Sequence, residues 1–169
     1  ERRNKTDQLY LTSPIGISSV VMGKYAAALT VLLIAMFLNL IFPLVLVFYT
    51  SSGSLSFTML LVQYVGFFLM GATFLAVGVF ISSMTESQVV AAVVSFAVAF
   101  FVWLGNSVLT NLGSDFLNMV ASSLNMLSRY QNFADGLIGL SPVLYYVSVS
   151  GLFLFLTVRA IERRRWTGV

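Results

Sequence analysis

No charged side chain lies between Lys24 and Glu86, a run of 61 residues. That run limits what the chain can fold into more than any other feature. A soluble domain carries about a quarter charged residues; this chain carries 9% and is 59% hydrophobic. It cannot cover its own surface with polar groups, so a bilayer is the expected solvent. Two more charge-free runs follow, 28 residues between Glu86 and Asp115 and 23 between Asp135 and Arg159. A spanning helix needs roughly 20 apolar residues, each rising about 1.5 Å across an apolar layer of about 30 Å. The first run holds two spans and a turn, and the others hold one each. The expected fold is all-α and integral to the membrane, a polytopic helix bundle with four spans.

Residues 1–23 read as a cytoplasmic entry segment, 24–161 as the membrane domain and 162–169 as a cytoplasmic tail. The first span is placed at about 24–48, with Pro43 near its far end. A proline there frees a backbone carbonyl about four residues back, which predicts a kink. "TSSGSLS" at 50–56 reads as a turn. The second span, about 57–82, holds Gly66, Gly71 and Gly78, small residues that let helices approach closely in lipid. The third span is about 88–109. The fourth is about 141–161, opening on Ser141-Pro142 as cap and first residue. The stretch 110–140 is long for a connection; Phe116, Met119, Val120, Leu124 and Leu127 fall near one helical face. It predicts one or two short helices, about 112–138, at or dipping into the outer interface.

Basic residues orient the spans. Arg2, Arg3, Lys5 and Lys24 precede the first span, and Arg159, Arg163, Arg164 and Arg165 end the last. Four spans put both termini on one side, with Arg129 opposite. The excess of Lys and Arg on cytoplasmic faces makes both ends cytoplasmic. Glu86, in "SSMTESQ", joins them in a second cytoplasmic loop; it is either a contact for a partner or a solvated loop charge with a cap-like Thr85 ahead of it. The tail "RAIERRRWTGV" reads as a basic stop with Trp166 at headgroup level.

The residues exclude several chemistries. With no cysteine and no histidine, the commonest thiolate and imidazole metal sites and the commonest general base are missing. No G-x-x-x-x-G-K-[ST] run is present, so these residues do not bind ATP by that route. Asp115 and Asp135 fall in the external stretch rather than within spans and read as surface charges. Asn39, Gln63 and Asn106 lie in or near spans, where an unpaired amide is costly; helix–helix hydrogen bonds are the expected use, and lining of a substrate path is the alternative. No nucleic-acid patch stands out.

"LTSPIGISSVVMGKYAAAL", "GVFISSMTESQVVAAVVSF" and "YYVSVSGLFLFLTVRAIERRRW" resemble the permease subunits of ABC-2 type ATP-binding-cassette exporters, in particular the gliding-motility-type branch. The similarity runs almost end to end. Thr6, Leu9, Leu11, Thr12, Ser13 and Pro14 match the family pattern before its third span, while Lys5 replaces a usual glycine and Gln8 a usual acidic residue. The resemblance implies a six-span permease whose first two spans would precede Glu1. It implies that the segment with Thr6, Asp7, Leu9, Leu11, Thr12, Ser13 and Pro14 is a coupling element resting on an ATP-binding subunit, with Thr85 and Glu86 in a second cytoplasmic loop. ATP and magnesium would be held by that partner, and no cofactor by this chain. A second permease, identical or related, would complete the transporter in a prokaryotic inner membrane.

From residues alone, the polar stretch "NKTDQLYLTSP" reads first as an ordinary loop whose Ser13-Pro14 caps the next helix, and it is the resemblance that favours a docking element. Two other classes stand beside the exporter. A channel or secondary carrier predicts ionisable residues within spans and inverted repeats, and neither is evident. A membrane scaffold would need no ATPase.

Overall fold

The computed structural model describes residues 16–49, 57–109, 126–137 and 139–167. All regular structure among them is helical: α1 (Ile17–Asn39), α2 (Ile41–Tyr49), α3 (Phe57–Met84), α4 (Gln88–Leu109), α5 (Met126–Ala134) and α6 (Leu140–Thr167). Three stretches are long and apolar enough to cross a membrane: Ile17–Val45, Phe57–Met84 and Leu140–Arg163. A shorter apolar stretch, Gln88–Val102, begins α4. The protein is a multi-pass membrane helix bundle.

The helices sit close to where the charge gaps place them, and the differences have local causes. α1 starts at Ile17, ahead of Lys24, because Ile17, Val20 and Val21 continue the apolar helix. It breaks at Leu40, whose N–H bonds the carbonyls of Met36 and Phe37 at 3.0 and 3.3 Å. Pro43 has no N–H to give the Asn39 carbonyl, so the ladder cannot run through and α2 restarts beyond the break. α6 begins at Leu140, one residue before the expected cap, so Ser141 and Pro142 lie inside its first turn. No N–H of that turn has an intrahelical partner, and proline is tolerated throughout it. Gly139 precedes the helix, and a Cβ there would meet Pro142 Cδ at 2.9 Å.

The centre of the bundle is α3, which packs against α1, α4, α5 and, most extensively, α6. Its inward stripe is spaced for one helix face: Val62, Gly66, Leu69, Thr73 and Ala76. Four of these are buried and Leu69 is half-buried. α3 and α6 run the same way, since Thr73 meets Tyr146 and Ser150 while Phe80, seven residues on, meets Phe153. α4 turns back along α3, with Gly78 beside Ser95. The expected turn at 50–56 lies outside the described residues.

Candidate functional site

Two places hold polar groups that reach from one helix to another. The first is where α1, α3 and α6 meet. Thr73 is fully buried on α3. Its hydroxyl lies 2.9 Å from Leu69 O, 3.3 Å from Tyr146 O and 3.0 Å from Ser150 Oγ. Ser150 in turn donates to Tyr146 O at 2.8 Å. Thr73 has one proton and three neighbours for it. When it donates to Leu69 O, Ser150 can donate to Thr73; when it donates to Ser150, Ser150 donates to Tyr146 O. Each hydroxyl therefore has a carbonyl on its own helix to return to. From α1, the buried Tyr25 donates to Ala72 O at 3.1 Å, one residue from Thr73.

The second place is the short helix α5. Tyr146, fully buried, donates to Met126 O at 2.7 Å and holds its first turn. Gln63 donates from Nε2 to Ala134 O at 2.9 Å and holds its last. This is the helix–helix use expected of that amide. α5 closes in a Schellman motif: Gly136 at φ 77, with its N–H on Phe133 O and the Leu137 N–H on Asn132 O. The Asp135-Gly136 pair was a visible helix stop that the sequence reading did not use. Phe133 lies against Gly66, nine residues into α3, or about 14 Å along it. The described part of 110–140 is thus held against Val62 and Tyr146 by its buried Met126 and Phe133. Arg129 stacks its guanidinium 4.2 Å from the centre of the Tyr145 ring.

The end of the bundle shared by the close of α3, the start of α4 and the close of α6 carries Glu86, Arg159, Glu162 and Arg163, with Arg129 at the other end. Arg159 pairs with Glu162 at 3.1 Å. Thr85 lies between the two helices, but its hydroxyl turns back to Ile81 O at 3.0 Å. It closes α3, and Ser87, whose carbonyl accepts from Ala91 N, opens α4. Glu86 is exposed between them.

Thr6, Asp7, Leu9, Leu11, Thr12, Ser13 and Pro14 lie outside the described residues, as do Asp115, Phe116, Met119, Val120 and Leu124. The side chains of Asn106, Leu127 and Trp166 do too. Asn39 ends α1 exposed, and Asp135 is exposed at the close of α5. Among the described residues no group of three or more acidic, cysteine or histidine side chains could hold a metal. Tyr25, Thr73, Tyr146 and Ser150 were not singled out from sequence.

The architecture is that of a membrane-embedded bundle with buried hydroxyls and no assembled reaction centre among the described residues. Residues 1–161 match the family described as ABC-2 family transporter protein. The chain belongs to this family. No curated protein and no solved structure matches it.

Proposed function

We propose that this ABC-2 protein is the membrane-spanning permease subunit of an ATP-driven exporter, with ATP and magnesium bound by a separate ATP-binding-cassette subunit. The observation that carries the proposal is the family match over residues 1–161 in a chain with no P-loop run. A partner as the energy source is the reading that these residues support. The segment with Thr6, Asp7, Leu9, Leu11, Thr12, Ser13 and Pro14 is the docking element, with Leu9 and Leu11 as its apolar contacts. Thr85 and Glu86 lie in a second cytoplasmic loop at the α3–α4 connection, where exposed Glu86 is a second contact for the partner.

Eight of the nine basic residues fall at one end when four spans alternate, which supports cytoplasmic termini in a prokaryotic inner membrane. A second permease, identical or related, completes the path through the bilayer. ATP closes the partner's nucleotide sites, the segment around Thr6–Leu11 is displaced, and the helices shift toward the other face. ATP does this only through different affinities for the two states. The test is alanine at Leu9 and Leu11 in the assembled complex. Loss of complex assembly or of permease-dependent ATP hydrolysis is expected. Unchanged assembly and hydrolysis in a folded protein contradict the proposal.

A further inference from the structure

α1 is joined to the rest of the bundle by one narrow stripe. Val21, Tyr25 and Met36 are its buried residues, with Leu32 half-buried between them. These positions fall on one helix face, and most of the remaining α1 surface is exposed. Leu32 packs against Gly71, and Tyr25 is the polar member of the stripe.

The helices beyond it are bound to one another far more firmly. Thr73 and Ser150 join α3 to α6, Tyr146 joins α6 to α5, and Gln63 joins α5 back to α3. These three helices form a closed ring of hydrogen bonds. From α1, Tyr25 reaches that ring: its hydroxyl donates to Ala72 O at 3.1 Å and also meets the Ser150 side chain. It lands beside the point where α3 is bonded to α6.

We propose that Tyr25 is a positioning residue for coupling, the tie through which displacement of α1 is passed to the α3–α5–α6 body. This rests on the reading of residues 6–14 as the docking element, since α1 follows that segment directly in the chain. Apolar packing along the stripe, Leu32 on Gly71 included, is spread over several non-directional contacts. A hydrogen bond fixes the register of α1 against α3 and makes the two move together. The tie can be cut cleanly. Ala72 O, as a carbonyl inside α3, keeps the N–H four residues on as its partner. Tyr25→Phe therefore removes a donor and leaves no buried acceptor orphaned.

The experiment uses the complete transporter complex in lipid. The chain has no cysteine, so introduced pairs label specifically. One pair, Ala27 with Val65, reports α1 against α3; the other, Phe67 with Val93, reports α3 against α4. All four positions are exposed. Spin-label distances are read with and without ATP, magnesium and vanadate. In the otherwise native complex, nucleotide trapping changes the α3–α4 distance and leaves the α1–α3 distance fixed. With Tyr25→Phe the pattern reverses. Val21→Ala trims apolar packing on the same stripe; it lowers thermal stability and keeps the native pattern.

A native pattern with Tyr25→Phe overturns the inference and leaves the ATP-driven reading standing. So does a reversed pattern with Val21→Ala, which would assign the tie to packing. If trapping moves neither pair in the native complex, the reading of residues 6–14 falls, and this inference with it.

Discussion

A Cβ on Gly66 would stand 2.5 Å from the Cβ of Phe133 and 2.6 Å from its ring. No real side-chain pair approaches so closely, so α5 reaches its depth in the bundle because position 66 has no side chain. Gly66→Ala must push α5 out or bend α3. It is expected to cost about 1–3 kcal/mol, the usual range for overpacking, read as a fall in thermal midpoint of the purified protein. Gly71 makes a useful comparison. A Cβ there meets Leu32 Cδ2 at 2.9 Å, the free end of a flexible side chain. Gly71→Ala should fall at the low end of that range. Equal costs at the two sites would contradict the packing described.

Tyr146 secures α5 through one hydrogen bond, hydroxyl to Met126 O at 2.7 Å. Tyr146→Phe keeps the ring beside Phe133 and removes that bond. The expected loss is roughly 0.5–1.5 kcal/mol, concentrated locally. Backbone hydrogen exchange should quicken over 126–134 and stay unchanged in the middle of α3. Uniform quickening across both helices would show that the bond supports the whole bundle.

The Thr73–Ser150 contact should prove less costly to break than its burial suggests. Thr73→Val keeps the shape and leaves Ser150 donating to Tyr146 O. Ser150→Ala leaves Thr73 donating to Leu69 O. Each is expected to cost less than about 1 kcal/mol, in line with hydrogen bonds measured between membrane helices. A double-mutant cycle read by unfolding in detergent should give a coupling below about 1 kcal/mol. A coupling several times larger would mean that neither hydroxyl has a useful partner on its own helix.

The bundle was legible where charge was absent. The gaps from Lys24 to Glu86 and from Asp135 to Arg159 mark three of the long helices, because a charged side chain in the apolar layer is expensive at almost any position. The depth of α5 was not legible. Arg129, Gln131, Asn132 and Asp135 make its sequence look like surface, while its seat depends on Gly66 and Tyr146, far away in the chain. The hydroxyl junction was equally hidden. Thr and Ser are common in spanning helices and can satisfy themselves on the preceding turn, as Thr30 does on Ala26 O and Thr157 on Phe153 O. Nothing in a single sequence separates Thr73 from those two. The helix break at Leu40 was foreshadowed by Pro43, since a missing N–H acts within a few residues of its own position.

In the proposed mechanism a separate ATPase drives this permease through the segment ahead of α1. The most direct measurement is purification of the full-length protein from its native cells in gentle detergent, with identification of what accompanies it. A P-loop ATPase is expected to accompany the native protein and to be lost when Leu9 and Leu11 are both changed to Asp. Repeated recovery of the native protein with no such partner would contradict the mechanism. An ATPase retained after that double change would move the docking site away from Leu9 and Leu11.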